Sequence, residues 1–581
     1  MESLLDHQPA STAPERAAAD RADQESLASL LRCWVRETGM AAPKDDQLVL
    51  DLSSSGVRIE VPVVYWSPVG WHRFGPARFS GGQTVTAPAL AALLSTEVSG
   101  DDPASVTDLT ARVTDSARKV ATFLEERAAQ PELDEKQPEF LRGERALVCG
   151  HPLHPTPKSR EGLSDRELRR YSPELGGAFP LHWFAADPEV VQADSALSSS
   201  AQRLCAELAG PLAERAGSDR VLVPAHPWQA REVRDYPATR ALLDSGALCD
   251  LGEGGPTWSA TSSVRTLYRA DAPVMLKFSL GLRITNSRRE NLRVELRRGV
   301  AVHRLLESGL ADALHARYPD FDIVRDPAWL AVDGPQGAPT GLDVAVRDNP
   351  FRSGEPQAVC VAGLVSTRPD RPGGESWLTG LVRDLSRETG EPVQDVAEEW
   401  CARYLDQVIE PVLWLYARYG LGLEAHQQNT LVVLDDDGWP TGGRYRDNQG
   451  FYFSPTRSPA LYDWVPRVGR DLGTFVDDEV IDERLAYYVG INNALGLVGA
   501  LGSAGLADET RLLERARARL THWSREHGDR LRLAELLRDA PRISCKANLL
   551  TRVRGMDELT GPLEAQSVYV DIANPLSEVT R

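Results

Sequence analysis

The chain has 581 residues, 42% apolar and 26% charged, enough for a large buried core and, at roughly 150 residues per domain, for about two to four domains. Asp and Glu number 84 against 65 Lys and Arg, a formal charge of −19 that repels polyphosphate backbones and argues against a nucleic-acid partner. The seven cysteines are scattered, lack paired metal spacing and are odd in number, which points to a reducing compartment.

Residues 1–26 mix acids, Pro and Ala without the basic start and apolar stretch of a secretory signal, and are expected to be disordered. No uncharged apolar run of about 18 residues follows, so a cytoplasmic protein without a membrane span is expected. A helix is expected over Leu27–Thr38. Within Leu48–Trp66, Val57, Ile59, Val61 and Val63 alternate with Arg58, Glu60 and Pro62 as in a half-buried strand, and Pro62 marks an edge. A helix over Ser105–Gln130 follows. The middle third reads as mixed α/β, with apolar strands at Val221–Val223 and Val274–Phe278 and a charged helix from Arg288 to Arg317. Arg368–Gly374 reads as a linker between strand-like Ala358–Val365 and a helical region, Trp377–Tyr419. Thr430–Leu434 and Gly450–Phe453 read as strands, the first ending in the turn Asp435–Gly438, and from Glu479 onward the pattern is helical.

Four clusters carry candidate chemistry. The first, His151 to Lys158 (HPLHPTPK) with Arg160, is stiffened by three prolines and presents two imidazoles, an ammonium and a guanidinium, a set suited to a multiply charged anion. A surface loop explains it equally well, and His-x-x-His alone is weak evidence for zinc. The second is Pro224 to Gln229 (PAHPWQ), at the end of a strand, where a ligand group or a core closure both fit. The third is the densest: Ser259 to Thr266, then Leu276-Lys277-Phe278-Ser279 and Arg283 to Arg289. A hydroxyl-rich turn with Arg265, followed by a Lys inside an apolar strand, is a way to cradle and neutralise phosphates. The alternatives are an edge-strand Lys reaching water and a solvated helix start at Arg283, Arg288 and Arg289. The fourth is Gly422 to Leu434 (GLEAHQQNTLVVL) with Gly442 to Gly450 (GGRYRDNQG): a polar loop, a hairpin and Asp447, the layout that offers an Asn and an Asp to Mg²⁺ beside a nucleotide. A surface hairpin explains it equally well.

In this order the clusters resemble the IucA/IucC family of NRPS-independent siderophore synthetases. HPxHPxxKxRxG, the Ser-rich turn with Arg, Lys277 to Asn286 (KFSLGLRITN) and EAHxQN carry the resemblance. Lys546–Leu550 (KANLL) and Tyr569–Pro575 (YVDIANP) extend it to the ferric-reductase-like C-terminal portion, so that about residues 27 to 576 are covered. The resemblance implies a mixed α/β cupped hand: a thumb-like 27–175, a fingers-like 176–370 with the Ser-rich turn and the Lys strand, and a palm-like 371–581. It implies ATP- and Mg²⁺-dependent activation of citrate or a related polycarboxylic acid as an acyl-adenylate, then transfer to an amine or alcohol.

By motif, Ser262, Ser263, Arg265 and Thr266 would line the nucleotide phosphates, with Lys277 on the α-phosphate. Thr285, Asn286 and Arg289 would hold the acid's spare carboxylates, Thr285 and Arg289 sharing a helix face. His426 would lie between phosphate and carboxylate, Asn429 would bind phosphate or metal, and Asp447 with Glu424 would hold Mg²⁺. His151, His154, Lys158 and Arg160 would form the opposite wall of the acid pocket. Asn448 departs from the family pattern, which leads to an apolar or aromatic residue there. Expected partners are the small-molecule acid and its amine or alcohol, and a second copy of the chain, with no nucleic acid and no membrane. A kinase-like phosphotransferase would use the same Lys, Asn and Asp but form ADP. A non-catalytic siderophore- or iron-binding protein would need no such set.

Overall fold

A computed structural model describes residues 13–100, 102–217, 219–285, 287–470, 472–556 and 566–578. Its largest sheet has eight strands, every neighbouring pair antiparallel. Their order is Val191–Ser195, Ala328–Asp333, Pro339–Asp348, Val274–Phe278, Thr266–Tyr268, Leu248–Ala260, Ala178–Ala186 and Val221–Ala225. Lys277 stands opposite Thr266 on one side and Ala345 on the other, and Met275 stands opposite Arg347. Opposed residues of an antiparallel ladder share a face and alternate residues return to it. Thr266, Lys277 and Arg347 therefore rise together from one face, while Leu267, Leu276, Phe278, Val344 and Val346 enter a hydrophobic core on the other. The strand of Lys277 is central, so the edge-strand explanation of that lysine fails.

A smaller four-stranded sheet, ordered Phe321–Ile323, Pro440–Tyr445, Thr430–Leu434, Val359–Cys360, carries the second half of the site. Its hairpin is closed at Asp435, whose Oδ1 accepts the N–H groups of Gly438 (2.9 Å) and Trp439 (2.8 Å), with Gly438 at φ 102°. Because Thr430 pairs with Tyr445, the segments just before and after the hairpin leave side by side, joined by Arg446 N to Asn429 O at 2.9 Å. Helices from Trp377 to Tyr419 and from Asp478 to His527 pack behind this sheet in the largest core. Helix Asp478–Ser503 is long and apolar enough to cross a membrane, but its apolar stretch is 83% buried inside the protein.

Several expectations are corrected. The first helix runs Ala13–Thr38, so the expected disordered start is helical from Ala13. Ala22 and Leu27 are fully enclosed there, and the Ala-rich run lets the helix extend; residues 1–12 lie outside the described residues. Pro62 is not on an edge strand. Val57–Tyr65 pairs with Gln47–Leu52 on one side and with two short strands, Arg73–Phe74 and Arg78–Phe79, on the other. Pro62 sits at the gap between those two, its carbonyl accepting Gly75 N at 2.8 Å, so its missing N–H is not needed. The linker candidate Arg368–Gly374 is clamped: Arg127 Nε donates to Asp370 at 2.9 Å, and Arg368 grips the same carboxylate at 2.6 Å. Ala358–Val365 is a short strand, Val359–Cys360, followed by helix Val361–Val365. The charged helix begins at Arg293 rather than Arg288. Beyond Glu479 the chain is not all helix: Arg542–Lys546 pairs with Tyr569–Ala573 in a two-stranded sheet.

Candidate active site

One cleft of about 1150 Å³ receives side chains from both sheets, from the first helix and from the helical core. Lys277 lines it, 3% exposed, its Nζ donating to Asp447 Oδ1 (2.8 Å) and Gln449 Oε1 (2.6 Å). Burial draws the ammonium down to about 8, against the pull of Asp447. Burial alone would raise the Asp447 carboxyl, but Lys277 and Arg347 reverse that and hold it well below the usual range. Arg347 Nη2 is 3.9 Å from Asp447 Oδ1 and is itself fixed by Asp326 at 2.6 Å. Asp447 adopts φ 90°, a left-handed conformation that Asp tolerates better than most residues.

The Ser-rich turn is tied down from below. Ser262 N donates to Glu144 Oε2 (2.8 Å), and the same fully buried carboxylate holds Arg446 at 2.8 Å. Ser262 Oγ accepts from Gln428 Nε2 at 3.3 Å and Arg446 Nη2 at 3.4 Å. Ser263 Oγ caps the turn by accepting Thr266 N at 3.1 Å, between them Val264 at φ 67°. Arg265 donates to Arg289 O (2.8 Å) and Asn291 Oδ1 (3.0 Å), and burial lowers its guanidinium to about 10. Ser262, Ser263, Arg265 and Thr266 all line the cleft.

Thr285 and Arg289 meet in the cleft, but not on a helix. Strand Leu280–Ile284 turns at Thr285, φ 57°, into strand Ser287–Arg289. Arg289 Nη2 reaches back to Thr285 Oγ1 at 2.8 Å and Ile284 O at 3.1 Å. The polar run reads as a helix because a hairpin this short leaves no periodicity. Asn286 lies outside the described residues, and Arg283 is not among the cleft residues.

His426 and Glu424 line the cleft from the loop before the hairpin. Burial lowers the His426 imidazole to about 4, so it is neutral at pH 7. Burial raises the Glu424 carboxyl, as does neighbouring Asp447, while the Tyr452 hydroxyl donates to it. Asn429 Nδ2 is bound to Glu424 O at 3.2 Å.

His151, His154, Lys158 and Arg160 do form a wall of the cleft. Its charge is largely spoken for: Glu174, 1% exposed, accepts from Lys158 Nζ (2.5 Å) and Arg160 Nη2 (2.6 Å), and these cations hold its carboxyl at about 2 despite burial. His151 is drawn to about 3 by burial and is neutral. The second cluster is structural. His226 is buried and caps the helix Pro227–Glu232 by accepting Trp228 N, and Gln229 bridges Gly281 N (2.7 Å) and Gly341 O (3.1 Å).

Residues 139–366 match the IucA / IucC family and residues 398–561 the ferric iron reductase FhuF-like transporter family. The chain is 37% identical over 578 residues to the rhizobactin siderophore biosynthesis protein RhbC of Rhizobium meliloti, covering 96% of this chain and 98% of that protein. It belongs to the IucA/IucC family. A spermidine-citrate ligase of Bacillus anthracis is 34% identical over 600 residues, at the same coverage. The structure of ATP-bound aerobactin synthetase IucA from Klebsiella pneumoniae superposes with a TM-score of 0.86 at 30% identity, covering 95% of this chain and 99% of that one. The mixed α/β architecture is thus that of the siderophore synthetases.

In this IucA/IucC member, sequence reasoning missed Glu144, Arg347, Arg446 and Gln449, which orient the Ser-rich turn, Lys277 and Asp447. Arg446 stood beside Asp447 in a motif already singled out. Gln449 lies in that same motif, whereas Arg347 reaches the site through strand pairing and Glu144 from a short helix, neither with a local signal. Asn448, the departure from the family pattern, is fully buried and donates to Val324 O at 2.9 Å, so it anchors the backbone beside Asp447.

Proposed function

We propose that the cleft adenylates a carboxylate of citrate or a citrate derivative and then joins it to an amine or hydroxyl in siderophore biosynthesis. The observation that carries this reading is the buried Lys277 ammonium, held by Asp447 and Gln449 beside the Ser-rich turn, in one cleft with Thr285 and Arg289. A carboxylate oxygen attacks the α-phosphorus of ATP, pyrophosphate departs, and a mixed anhydride with AMP forms. The amine then attacks the acyl carbon, the C–N bond forms, AMP leaves and the ammonium proton passes to solvent or buffer. Charge grows on the α-phosphoryl oxygens in the first step, where Lys277 and Arg265 are already in place, so little reorganisation is needed. Arg289, with Thr285 orienting it, holds a spare carboxylate and sets the reacting one in line.

Mg²⁺ fits the residues present. Asp447 is held ionised, Glu424 feels that charge, and Asn429 has its Nδ2 engaged, leaving its Oδ1 for a ligand. These three would hold the ion, which would supply charge neutralisation for the phosphates. Among the described residues no three His, Cys, Asp or Glu side chains form a metal-ligating cluster, which suits an ion taking its remaining ligands from phosphate and water.

The relatives named as citrate ligases, and one named as a citryl-hydroxylysine synthase, support citrate as the acid. The test is nucleotide product analysis with Mg²⁺-ATP, a panel of carboxylic acids and hydroxylamine as surrogate amine. AMP and pyrophosphate formed with citrate are expected. ADP as the sole product would establish a phosphotransferase instead, and no turnover with any acid a binding protein.

A further inference from the structure

The helix Asp478–Ser503 is π-helical over Ala486–Ala494. Such segments are rare and recur at functional sites. Here the i→i+5 repeat sets Tyr488, Asn492 and Asn493 against one loop. The Tyr488 ring lies 5.8 Å from His426. Asn493 is fully buried, donating to Ala425 O (2.7 Å) and Thr430 Oγ1 (3.0 Å) while accepting from the Tyr404 hydroxyl. Asn492 instead stands on the cleft wall. Its Oδ1 accepts Gln427 N at 3.1 Å, and its Nδ2 lies 2.7 Å from His151 Nε2 on the facing wall.

We propose that Asn492 is a positioning residue for acid activation: one amide ties the His151 imidazole to the backbone of Gln427, and so fixes His426, the neighbour of Gln427, relative to the opposite wall. This rests on the adenylation reading of the cleft. Leu153 N also approaches the His151 ring, at Nδ1, 3.0 Å away. A neutral imidazole has a single lone-pair nitrogen and cannot accept from both Leu153 and the Asn492 amide. If the amide turns its oxygen to an Nε2–H, Gln427 N loses its acceptor. The orientation of Asn492 thus couples the proton position on His151 to the seating of the His426 loop. The neutrality of His151 at working pH keeps that coupling in force.

The test is a double-mutant cycle of Asn492→Ala with His151→Ala, read by pyrophosphate release with an acid that wild-type enzyme turns over. That wild-type turnover checks the adenylation reading separately. Each single variant is expected to lose about tenfold or more in kcat/KM for the acid, with KM for ATP within about twofold, and the double variant to fall no more than about twofold below the worse single one. Losses that multiply, or an Asn492→Ala enzyme within about twofold of wild type, would overturn the proposal. Should Asn492→Ala fail to fold, the similarly sized Asn492→Leu removes both amide contacts while filling the same space, and enters the same cycle with the same expected outcome.

Discussion

At the scale of single residues, the Lys277 ammonium depends on what faces it, because a lysine in the middle of an eight-stranded sheet cannot reach bulk water. On the proposed adenylation, Lys277→Ala removes a charge preorganised for the α-phosphate, and pyrophosphate formation is expected to slow by about 10²-fold or more, with the fold retained by circular dichroism. Near wild-type turnover in a folded variant would make Lys277 a scaffold for Asp447 and nothing more. Arg289→Ala is expected to raise KM for the acid far more than KM for ATP, on the scale of a charged contact of about 1.5 to 3 kcal/mol. Saturation curves for both substrates on one preparation decide it, and a loss confined to ATP would reverse the assignment. Thr285→Val should share the acid-specific phenotype in milder form, since it removes only the hydroxyl that accepts from Arg289.

At the scale of elements, the site is built by strand pairing, and this decides which parts the sequence reveals. Val274–Phe278 and Thr430–Leu434 are legible because each is a short apolar run bounded by turn residues. The Asp435 turn is legible for the same local reason. Arg347 is not, because it joins Lys277 through a register fixed by the whole Pro339–Asp348 hairpin partner. Glu144 is equally hidden: it comes from a short helix, Glu139–Arg145, yet anchors the Ser262 backbone and Arg446. Glu144→Gln keeps the shape but weakens both contacts, so KM for ATP is expected to rise about tenfold with the acid KM little changed, a loss of about 1.4 kcal/mol. Equal losses for both substrates would show that Glu144 supports the whole cleft rather than its phosphate end. The paired strands Arg542–Lys546 and Tyr569–Ala573 escaped notice because neither has a partner close in sequence.

At the scale of the whole molecule, two carboxyls, half-buried Glu37 and buried Glu509, join the N-terminal part to the C-terminal helices. Glu37 accepts Leu549 N (2.9 Å) and Leu550 N (2.8 Å), and Glu509 accepts from the Tyr65 hydroxyl (2.8 Å) and Ser67 Oγ (2.9 Å). Burial raises the Glu509 carboxyl from an ordinary 4.5 to about 7. The folded state therefore binds a proton more tightly than the unfolded chain, and the stability Glu509 contributes is present below pH 4.5 and lost as pH rises to 7. Glu509→Gln removes that dependence while the rotatable hydroxyls keep their partners. The Tm difference, variant minus wild type, should grow more positive from pH 4.5 to pH 7, by at most about 3 kcal/mol in free energy. A difference flat with pH would mean the carboxyl stays ionised in the interface. The cleft itself takes walls from Arg21 and Arg32 on the first helix and from Lys546 and Asn548 close to the other end of the chain. On the proposed function, a nucleotide bound in that cleft stabilises the fold by mass action, and at about a hundredfold its Kd it adds about 2.7 kcal/mol to the free energy of unfolding. The rate of heat inactivation then becomes a readout of substrate occupancy, with enzyme starved of ATP the first to be lost.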